Sequence, residues 1–417
     1  MKKNGFTLVE ITVCVVLLVT IFLLVVPKVN TMINNKKKNA YNSLISTVKD
    51  AAQAYVYLNV NIVDDAIESQ GYYEVSIRTL QENELLENKL ENPLTGKNIP
   101  STSIVKIIKN NEEYIYKFSL DYQYLLEHII DLYSSEETRT SNGLKKDNTP
   151  DQNIRYYGSD PNNYVRFNNE LWRIIGVFGN NVKLVRKDSL GSLSWDSSES
   201  SINGGFGVNE WSQSALKNYL NSMYYGGTSV TCYNGKNNQT TTCPTNTLDN
   251  NAKTLIDNHI WNTGAIEFNT RIDTVEFYQA ERGTKGKICS SSNYCNDTVE
   301  RTTTWTGYIG LPYVTDWAYA SSESICETNM QKQDSSNAYI CKNNNWMQRS
   351  TVAWYLSPYA YGSIAFYAWF VGGDGYAGGN FAAGSRAVAP TIYLKSNVII
   401  ESGAGTSSSP YILKAGS

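Results

Sequence analysis

A long apolar segment near the N-terminus constrains the fold of this chain more than any other feature. A basic head with Lys2 and Lys3 precedes it, no charged residue occurs between Ile11 and Val26, and Pro27 closes it. As a helix, residues 6–26 would extend roughly 30 Å, which is the thickness of the hydrocarbon core of a bilayer. The sequence therefore predicts a membrane-spanning helix over residues 6–27.

Glu10 separates three interpretations of this segment. A secretory signal peptide has a similar basic head, but its apolar region is shorter and a small-residue cleavage site follows it, which this chain lacks. A plain membrane anchor fits the length but gives no reason for a carboxylate. A charge inside the bilayer costs about 2.5–3.5 kcal/mol on insertion scales, so we expect Glu10 to have a specific role.

The hexapeptide Gly5-Phe6-Thr7-Leu8-Val9-Glu10 resembles the processing site of type IV prepilins and related pseudopilins. The resemblance implies that residues 1–5 are a leader, that a peptidase cleaves after Gly5, and that Phe6 is then N-methylated. It also implies that Glu10 pairs with the terminal amine of a neighbouring subunit and that Pro27 kinks the helix. Such a pair would neutralise a charge that is costly in apolar surroundings.

The cysteines outside the apolar segment occur in close pairs. The pairs are Cys232 with Cys243, Cys289 with Cys295, and Cys326 with Cys341. An even number of locally spaced cysteines is typical of disulfides in an oxidising compartment. The alternative is a zinc site, but the chain has no C-x-x-C pair and only two histidines. We therefore predict three disulfides and no metal site.

The small number of histidines argues against catalysis, and the low charge of the chain argues against nucleic-acid binding. His128 and His259 each lie beside apolar residues and are predicted to be packed or half-exposed side chains rather than bases, so no triad is expected. We predict no enzymatic activity and no cofactor. With a net charge of −3 and 18% charged residues, nucleic acid is expected as a partner only if the chain serves in DNA uptake.

Residues 28–135 are predicted to form a pilin-like region with a helix and a small β-sheet. Apolar residues at steps of three and four between Val29 and Tyr55 indicate a long amphipathic helix. Two alternating runs, Ile104–Lys109 and Tyr114–Leu120, predict a hairpin. A further helix is predicted over residues 122–133, and the polar residues 136–153 are predicted to be a linker.

Residues 154–417 are predicted to form a separate, loop-rich ectodomain. The runs Tyr164–Phe167, Leu171–Val177 and Val182–Arg186 indicate a meander of three strands. Five further segments carry a resemblance, namely 171–176, 211–221, 354–358, 389–394 and 403–411. Through them the region resembles a surface domain of Gram-positive bacteria and is similar in fold to the C-type lectin and formylglycine-generating-enzyme group.

The predicted fold class is therefore α+β. It comprises a long N-terminal transmembrane helix with a small pilin-like antiparallel sheet. A loop-rich, disulfide-containing α+β domain that resembles C-type lectins follows.

The glycine-rich segment 373–378 lies among aromatic residues and marks a possible ligand surface. Exposed rings beside Asp and Asn suit stacking on sugars or contact with a protein. For alternating rings such as Phe366 and Trp369, a place in the core is the favoured alternative. The Gln-Pro-Asp and Glu-Pro-Asn tripeptides of calcium-dependent lectins are absent from the sequence. The candidate residues are Tyr359, Tyr361, Trp369, Asp374 and Tyr376.

Together these features predict a type IV pilin-like subunit, membrane-bound as a precursor and then located at the cell surface or in an extracellular filament. The large ectodomain favours a minor subunit that presents an adhesive or binding module. The predicted partners are other pilin subunits, the prepilin peptidase and N-methyltransferase, the membrane, and an unknown glycan or protein ligand. The alternative is a pseudopilin of a type II secretion-like or DNA-uptake machine.

Overall fold

The computed structural model describes residues 35–415, except 38, 94–95, 97, 100, 102, 111–112, 120–122, 268–270, 285–296, 329 and 332–339. The chain divides into two compact units, residues 1–122 and residues 123–416. We call them the N-terminal unit and the C-terminal unit. Each has its own apolar core.

The predicted fold class is wrong as stated. In the part of the chain that the structure describes, no helix is both long and apolar enough to cross a bilayer. The described residues form an α+β fold made mainly of β-sheets, with two disulfides. A helix such as that over residues 39–58 is amphipathic, since Val56 is buried whereas the next residue, Tyr57, is 86% exposed. The expected helix 6–27 lies outside the described residues, as do Gly5, Phe6, Glu10 and Pro27.

The N-terminal unit begins with two successive helices. The first covers residues 39–58 and the second covers Val60–Gln70. Asn59 separates them, and its side-chain amide donates to the carbonyl of Tyr55 (2.9 Å). Gly71 ends the second helix at a φ of 84°, in the left-handed region that favours glycine. Between residue 39 and Tyr55 the amphipathic spacing therefore forms a helix, as predicted.

A three-stranded antiparallel sheet completes this unit. Strand Tyr73–Ser76 pairs with Ile104–Asn110, which in turn pairs with Glu113–Ser119 and forms the predicted hairpin. Helix Ile77–Glu82 follows the first strand, and the Oγ of Ser76 caps it by accepting the N–H of Thr79 (3.0 Å). Helices and sheet share a core that contains Val48, Ala52, Val56, Val63, Val75, Ile77, Leu80, Val105 and Ile107.

The C-terminal unit is built on two large sheets. The first contains the predicted meander, and its strands follow one another in the order Ile309–Gly310, Thr391–Leu394, Asn181–Arg186, Glu170–Phe178, Tyr164–Phe167, Tyr411–Ala415, Val398–Ser402 and Gln123–Tyr124. Strand Ile154–Tyr156 pairs with Glu170–Phe178 and with Leu144–Lys146. The second sheet has the order Ser192–Ser194, Ser385–Ala387, Ala353–Ala360, Tyr367–Val371 and Ala377–Phe381, with Ile266–Glu267 beside Ala353–Ala360.

Two-stranded ribbons and short helices complete the C-terminal unit. The ribbons pair Cys232–Tyr233 with Thr240–Thr241, His259–Asn262 with Thr304–Gly307, and Arg271–Ile272 with Met330–Gln331. The α-helices are Leu125–Ser134, Glu136–Ser141, Ala215–Asn218, Asn250–Leu255, Thr274–Ala280, Val314–Ala320 and Ile325–Thr328. Asn203–Gly205 and Trp211–Gln213 form 3₁₀ turns, and Tyr219–Tyr225 is a π-helix.

The segment predicted as a linker is structured. Within residues 136–153, helix Glu136–Ser141 is followed by strand Leu144–Lys146, which pairs with Ile154–Tyr156. No residue of helix Glu136–Ser141 is buried. The helix therefore needs no apolar side chains, and its composition is as polar as that of a linker. The prediction failed because it relied on composition alone.

The boundary between the units also differs from the predicted one. Helix Leu125–Ser134 was assigned to the pilin-like region 28–135, whereas it belongs to the C-terminal unit. Leu125 and Ile129 are fully buried in the core of that unit, which explains the difference.

Tryptophan dominates the core of the C-terminal unit. The tryptophans with at most 1% exposure are Trp172, Trp195, Trp211, Trp261, Trp317, Trp354 and Trp369. Trp195 contacts Trp211 and Trp354 edge to face, at centroid distances of 5.1 and 6.1 Å. Such geometry adds to the gain from burying apolar area.

Two of the three predicted cysteine pairs lie in the described residues, and both are joined. Cys232 is bonded to Cys243, and Cys326 is bonded to Cys341. The third predicted pair, Cys289 with Cys295, lies outside the described residues.

Candidate functional site

The residues predicted as a ligand surface belong to one region of the second large sheet. They lie on or beside the hairpin Tyr367–Val371 and Ala377–Phe381 and the neighbouring strand Ala353–Ala360. Trp369 is 1% exposed, and its indole Nε1 donates to the carbonyl of Ile266 (3.1 Å). Its assignment to a ligand surface was wrong, because alternation along the strand turns this ring into the core.

Of the other residues in that predicted set, some are packed against the protein and some are exposed to solvent. The ring of Tyr359 lies against Gly379, where a Cβ atom would be 2.3 Å from the ring, and burial raises the pKa of Tyr359. The exposed carboxylate of Asp374 accepts the N–H of Tyr376 (3.0 Å) within the turn. Tyr361 is 41% exposed and is the clearest surface ring of the set.

An open groove elsewhere in the C-terminal unit has the features of a binding site. Its volume is about 670 Å³, within the range of known ligand pockets. One wall is strand Thr304–Gly307 with Tyr308, and the other is the helical segment Ala215–Asn218 that continues into Tyr219–Tyr225. We call this cavity the Trp305 groove.

The strand positions Trp305 through a neighbouring glycine. A Cβ atom on Gly307 would lie 2.0 Å from the indole, so only glycine allows the ring to lie against the strand. Trp211 contacts Trp305 edge to face, with a centroid distance of 6.0 Å. Trp305 is therefore supported from the protein side while it remains half-buried at the groove.

Two tyrosines extend the aromatic wall. The rings of Tyr225 and Tyr308 are stacked with a centroid distance of 4.1 Å and an angle of 9°. Burial and the adjacent Tyr308 raise the pKa of Tyr225 to about 12, so the phenol of Tyr225 is neutral at physiological pH. Together with Trp305, these rings give the groove an apolar surface with hydroxyls at its edge.

Asn221 ties the two walls of the groove together. Its Nδ2 donates to the carbonyls of Ile309 (2.9 Å) and Lys217 (3.1 Å). Its Oδ1 accepts the N–H groups of Tyr308 (3.2 Å) and Ile309 (3.0 Å). Because one side chain bonds both walls, the groove is formed before any ligand arrives.

The rim of the groove is polar but carries little charge. Asn218, Asn258 and Thr306 are exposed there. Burial lowers the pKa of Lys217, whose ammonium donates to the side-chain oxygen of Asn218 (2.7 Å). No carboxylate occurs among the described residues of the lining. The arrangement suits binding of a neutral polar ligand rather than acid–base chemistry.

A second cavity, of about 360 Å³, lies at the end of the meander. We call it the basic pocket, and the charged residues that line it are Arg173, Lys187, Asp188 and Arg349. The guanidinium of Arg173 donates to Asp160 (3.1 Å) and stacks on the ring of Tyr164 at 3.7 Å. Arg349 donates to the main-chain carbonyls of Lys187 (2.6 Å) and Arg186 (2.7 Å).

A buried ion network lies in the core of the C-terminal unit. Asp316, in helix Val314–Ala320, accepts hydrogen bonds from Lys183 (2.6 Å) and Arg155 (2.7 Å). Arg155 also donates to Asp147 (2.7 Å). These side chains are at most 6% exposed. Two cations thus face two carboxylates, so the network neutralises itself.

The pKa values of the network follow from this geometry. Burial would raise the pKa of Asp316, but Lys183 and Arg155 hold it below its ordinary value. Burial lowers the pKa of Lys183. We treat the pair as ionised because Asp316 also accepts the N–H of Tyr313 (2.9 Å). With its charges satisfied and solvent excluded, the network stabilises the fold rather than binding a ligand.

Glu281 is a buried carboxyl near this network. Burial raises its pKa to about 8, although the nearby cations Arg282, Lys183 and Arg155 lower it. Its Oε1 is buried and accepts no hydrogen bond from any described residue. Glu281 therefore carries a proton at neutral pH.

The histidines are packed, as predicted. His128 Nε2 lies 2.8 Å from the hydroxyl of Tyr411, and burial lowers the pKa of His128 to about 4. His259 stacks on Tyr393 with a centroid distance of 3.7 Å, and burial lowers its pKa as well. Among the described residues, no cluster of three His, Cys, Asp or Glu side chains could hold a metal ion.

The sequence did not reveal the Trp305 groove. Its walls come from residues 215–225 and 304–308, which show no common local pattern. The only local signal is Trp305-Thr306-Gly307-Tyr308, in which glycine follows tryptophan by two positions on a strand. Comparison with known proteins finds no family model, no curated protein and no solved structure that matches the chain.

Proposed function

We propose that this chain is a type IV pilin-like subunit of low abundance that presents its C-terminal unit as a binding module. The observation that carries the proposal is the hexapeptide Gly5–Glu10, followed by the apolar segment 11–26. This segment combines a cleavage site with a carboxylate, Glu10, that needs a partner. The resemblance to prepilins explains both features, because cleavage creates the amine with which the carboxylate pairs.

Assembly would be driven by the apolar segment and by a charge pair that processing creates. Cleavage after Gly5 exposes the amine of Phe6, which can pair with Glu10 of a neighbouring subunit. A paired carboxylate escapes much of the cost of an isolated charge in apolar surroundings. Before cleavage, no such amine exists at this position.

The C-terminal unit supports a presenting role. It spans residues 123–416 and is larger than the N-terminal unit, so it would crowd a densely repeated fibre. Its Trp305 groove is aromatic, preformed and nearly uncharged, which suits contact with an extracellular glycan or protein. A subunit at a filament tip or at low density could expose this groove.

N-terminal sequencing of the mature protein tests the proposal directly. We expect a chain that starts at N-methylated Phe6. The matched variant Gly5→Ala, which alters the cleavage site, should accumulate as an unprocessed precursor. A wild-type chain that still starts at Met1 would refute the processing claim.

The role of the acid needs a second experiment. Glu10→Ala should be processed normally but should be absent from filaments sheared from cells. The control is Glu68→Ala, at an exposed position of helix Val60–Gln70, which should be incorporated like the wild type. Incorporation of Glu10→Ala would contradict the charge pair, and a wild-type chain that never appears in sheared filaments would favour a pseudopilin.

The binding role can be tested with a glycan array on the full chain, kept in a detergent without a sugar headgroup. Trp305→Ala should abolish any binding that the wild type shows. Tyr361→Ala removes an exposed ring outside the groove and should have no effect. Equal losses in both variants would refute the assignment of binding to the groove.

A further inference from the structure

We propose that the basic pocket binds an oxyanion, namely the phosphate, sulfate or carboxylate group of a small ligand. The proposal rests on the C-terminal unit alone, so it does not depend on assembly into a filament.

Arg349 is the first observation. Its Nη1 and Nη2 donate to the main-chain carbonyls of Lys187 and Arg186, at 2.6 and 2.7 Å. Within the described residues no carboxylate forms an ion pair with it, although burial lowers its pKa. These two carbonyl oxygens engage two of the N–H donors of the guanidinium, leave others for a ligand, and do not neutralise the charge. Asp188 acts on this charge through space but forms no ion pair with it. A half-buried guanidinium without a directly paired carboxylate is unusual in a folded protein.

Other arginines of the C-terminal unit have a carboxylate or an aromatic ring as the partner of the guanidinium. Arg186 and Arg301 pair with carboxylates at 2.9 and 3.0 Å. Arg386 lies over the ring of Phe370, with 4.4 Å between guanidinium and centroid. Arg349 has neither kind of partner in the described residues, and it lines the basic pocket.

The surrounding side chains supply further donors. Lys187 is exposed at the pocket, and its ammonium makes no hydrogen bond to any described residue. The hydroxyls of Ser189, Ser350 and Thr351 also line the pocket, and in the described part of the chain none is engaged in a hydrogen bond. Guanidinium, ammonium and hydroxyl groups are the donors that recognise phosphate and carboxylate oxygens.

The charge and size of the pocket limit the ligand. The charge of Arg173 is balanced by Asp160, and Asp188 opposes Lys187 and Arg349, which leaves an excess of one positive charge. A volume of about 360 Å³ is at the lower end of the range for ligand sites. A ligand with one oxyanion and the size of a monosaccharide or an amino acid therefore fits.

Isothermal titration calorimetry on the full chain at low ionic strength tests the proposal. The probes are inorganic phosphate, sulfate and acetate, and the order of their affinities identifies the preferred oxyanion. We expect saturable 1:1 binding of at least one probe, which weakens with added salt because screening shortens the reach of the charges. Absence of saturable binding for all three would overturn the proposal.

Variants locate the binding without disturbing the core. Lys187→Gln should weaken binding about threefold to tenfold, and Asp188→Asn should tighten it by a similar factor, since it removes a repulsive charge. Arg349→Gln should remove measurable binding. The control, Lys89→Gln, lies at an exposed position of the N-terminal unit and should change nothing.

The increase in affinity expected from Asp188→Asn is decisive, because a misfolded variant would bind more weakly and not more tightly. If Asp188→Asn fails to tighten binding, or if Lys89→Gln weakens it as much as Lys187→Gln does, the assignment to this pocket is wrong.

Discussion

The buried ion network and the basic pocket both hold cations of the C-terminal unit, but they balance charge in different ways. In the network, Lys183 and Arg155 contact the carboxylate of Asp316 at 2.6 and 2.7 Å, and solvent is excluded. In the pocket, Arg349 contacts main-chain carbonyls and borders solvent. The first arrangement is complete in itself, whereas the second retains an excess of charge.

The difference shows why a concentration of titratable groups is a poor guide to function in this chain. The network and the pocket each contain four charged side chains. In the network every one of them is paired in the core, whereas the pocket borders solvent and retains an excess of positive charge. Accessibility and unsatisfied charge, rather than the number of reactive side chains, therefore distinguish a binding site from a structural cluster.

The largest effect is expected from breaking the network. Asp316→Asn keeps the shape but leaves Lys183 and Arg155 without their shared carboxylate, so we expect a loss of about 3–5 kcal/mol in the free energy of unfolding. Urea denaturation followed by tryptophan fluorescence measures it. Glu401→Gln, which removes a carboxylate about half exposed in its pair with Lys414, is the control and should cost less than about 1 kcal/mol. Equal losses would mean that the network does not stabilise the fold.

The next effect is pH-dependent and concerns Glu281. Its pKa is about 8 in the folded protein, against an ordinary value of 4.5. Between these values the folded protein holds a proton that the unfolded chain has lost. The resulting stability is fully present below about pH 4.5 and is lost as the pH rises toward about 8, by at most about 1.4 kcal/mol per pH unit.

Glu281→Gln should remove this loss, because the amide stays neutral at every pH. Urea denaturation at pH 5 and at pH 8.5 should therefore show a smaller decrease in stability for the variant than for the wild type. Parallel pH profiles of the two proteins would contradict the raised pKa.

A smaller effect is expected in the basic pocket. Arg349→Gln loses hydrogen bonds to two carbonyls but leaves no carboxylate unpaired, so we expect a cost of about 1–2 kcal/mol. Thermal unfolding monitored by circular dichroism measures it. A cost as large as that of Asp316→Asn would remove the distinction between the two regions, since Arg349 would then act as a structural cation.

The smallest effect on stability is expected at Lys187. Its side chain is exposed and makes no hydrogen bond to a described residue, so Lys187→Gln should change the free energy of unfolding by less than about 0.5 kcal/mol. The same thermal unfolding experiment applies. A marked destabilisation would indicate that Lys187 has a structural role that the pocket does not explain.

Local patterns in the sequence predicted local structure well. The hairpin Ile104–Asn110 and Glu113–Ser119, the meander around Glu170–Phe178, and the helix Leu125–Ser134 all follow from apolar periodicity and turn residues. The spacing of Cys232 and Cys243 likewise predicted their disulfide. Each of these features is formed by residues that are close in sequence.

The candidate sites could not be predicted in the same way, because they are assembled from distant segments. Lys183 and Asp316 are 133 positions apart, and Asn221 bonds to residues 87 and 88 positions further along the chain. Composition also failed where a surface helix was as polar as a loop, as in Glu136–Ser141. Trp369 is the opposite case. Its position near glycines suggested a surface ring, but the side chain is buried in the core.

The hydrogen bonds of Asn221 have a mechanical consequence. A groove between two independent segments would open under a load that pulls its walls apart. Here one amide joins the helical wall to Tyr308 and Ile309 with three hydrogen bonds. Separating the two walls requires these hydrogen bonds to break together. We therefore expect the groove to keep its width under such a load.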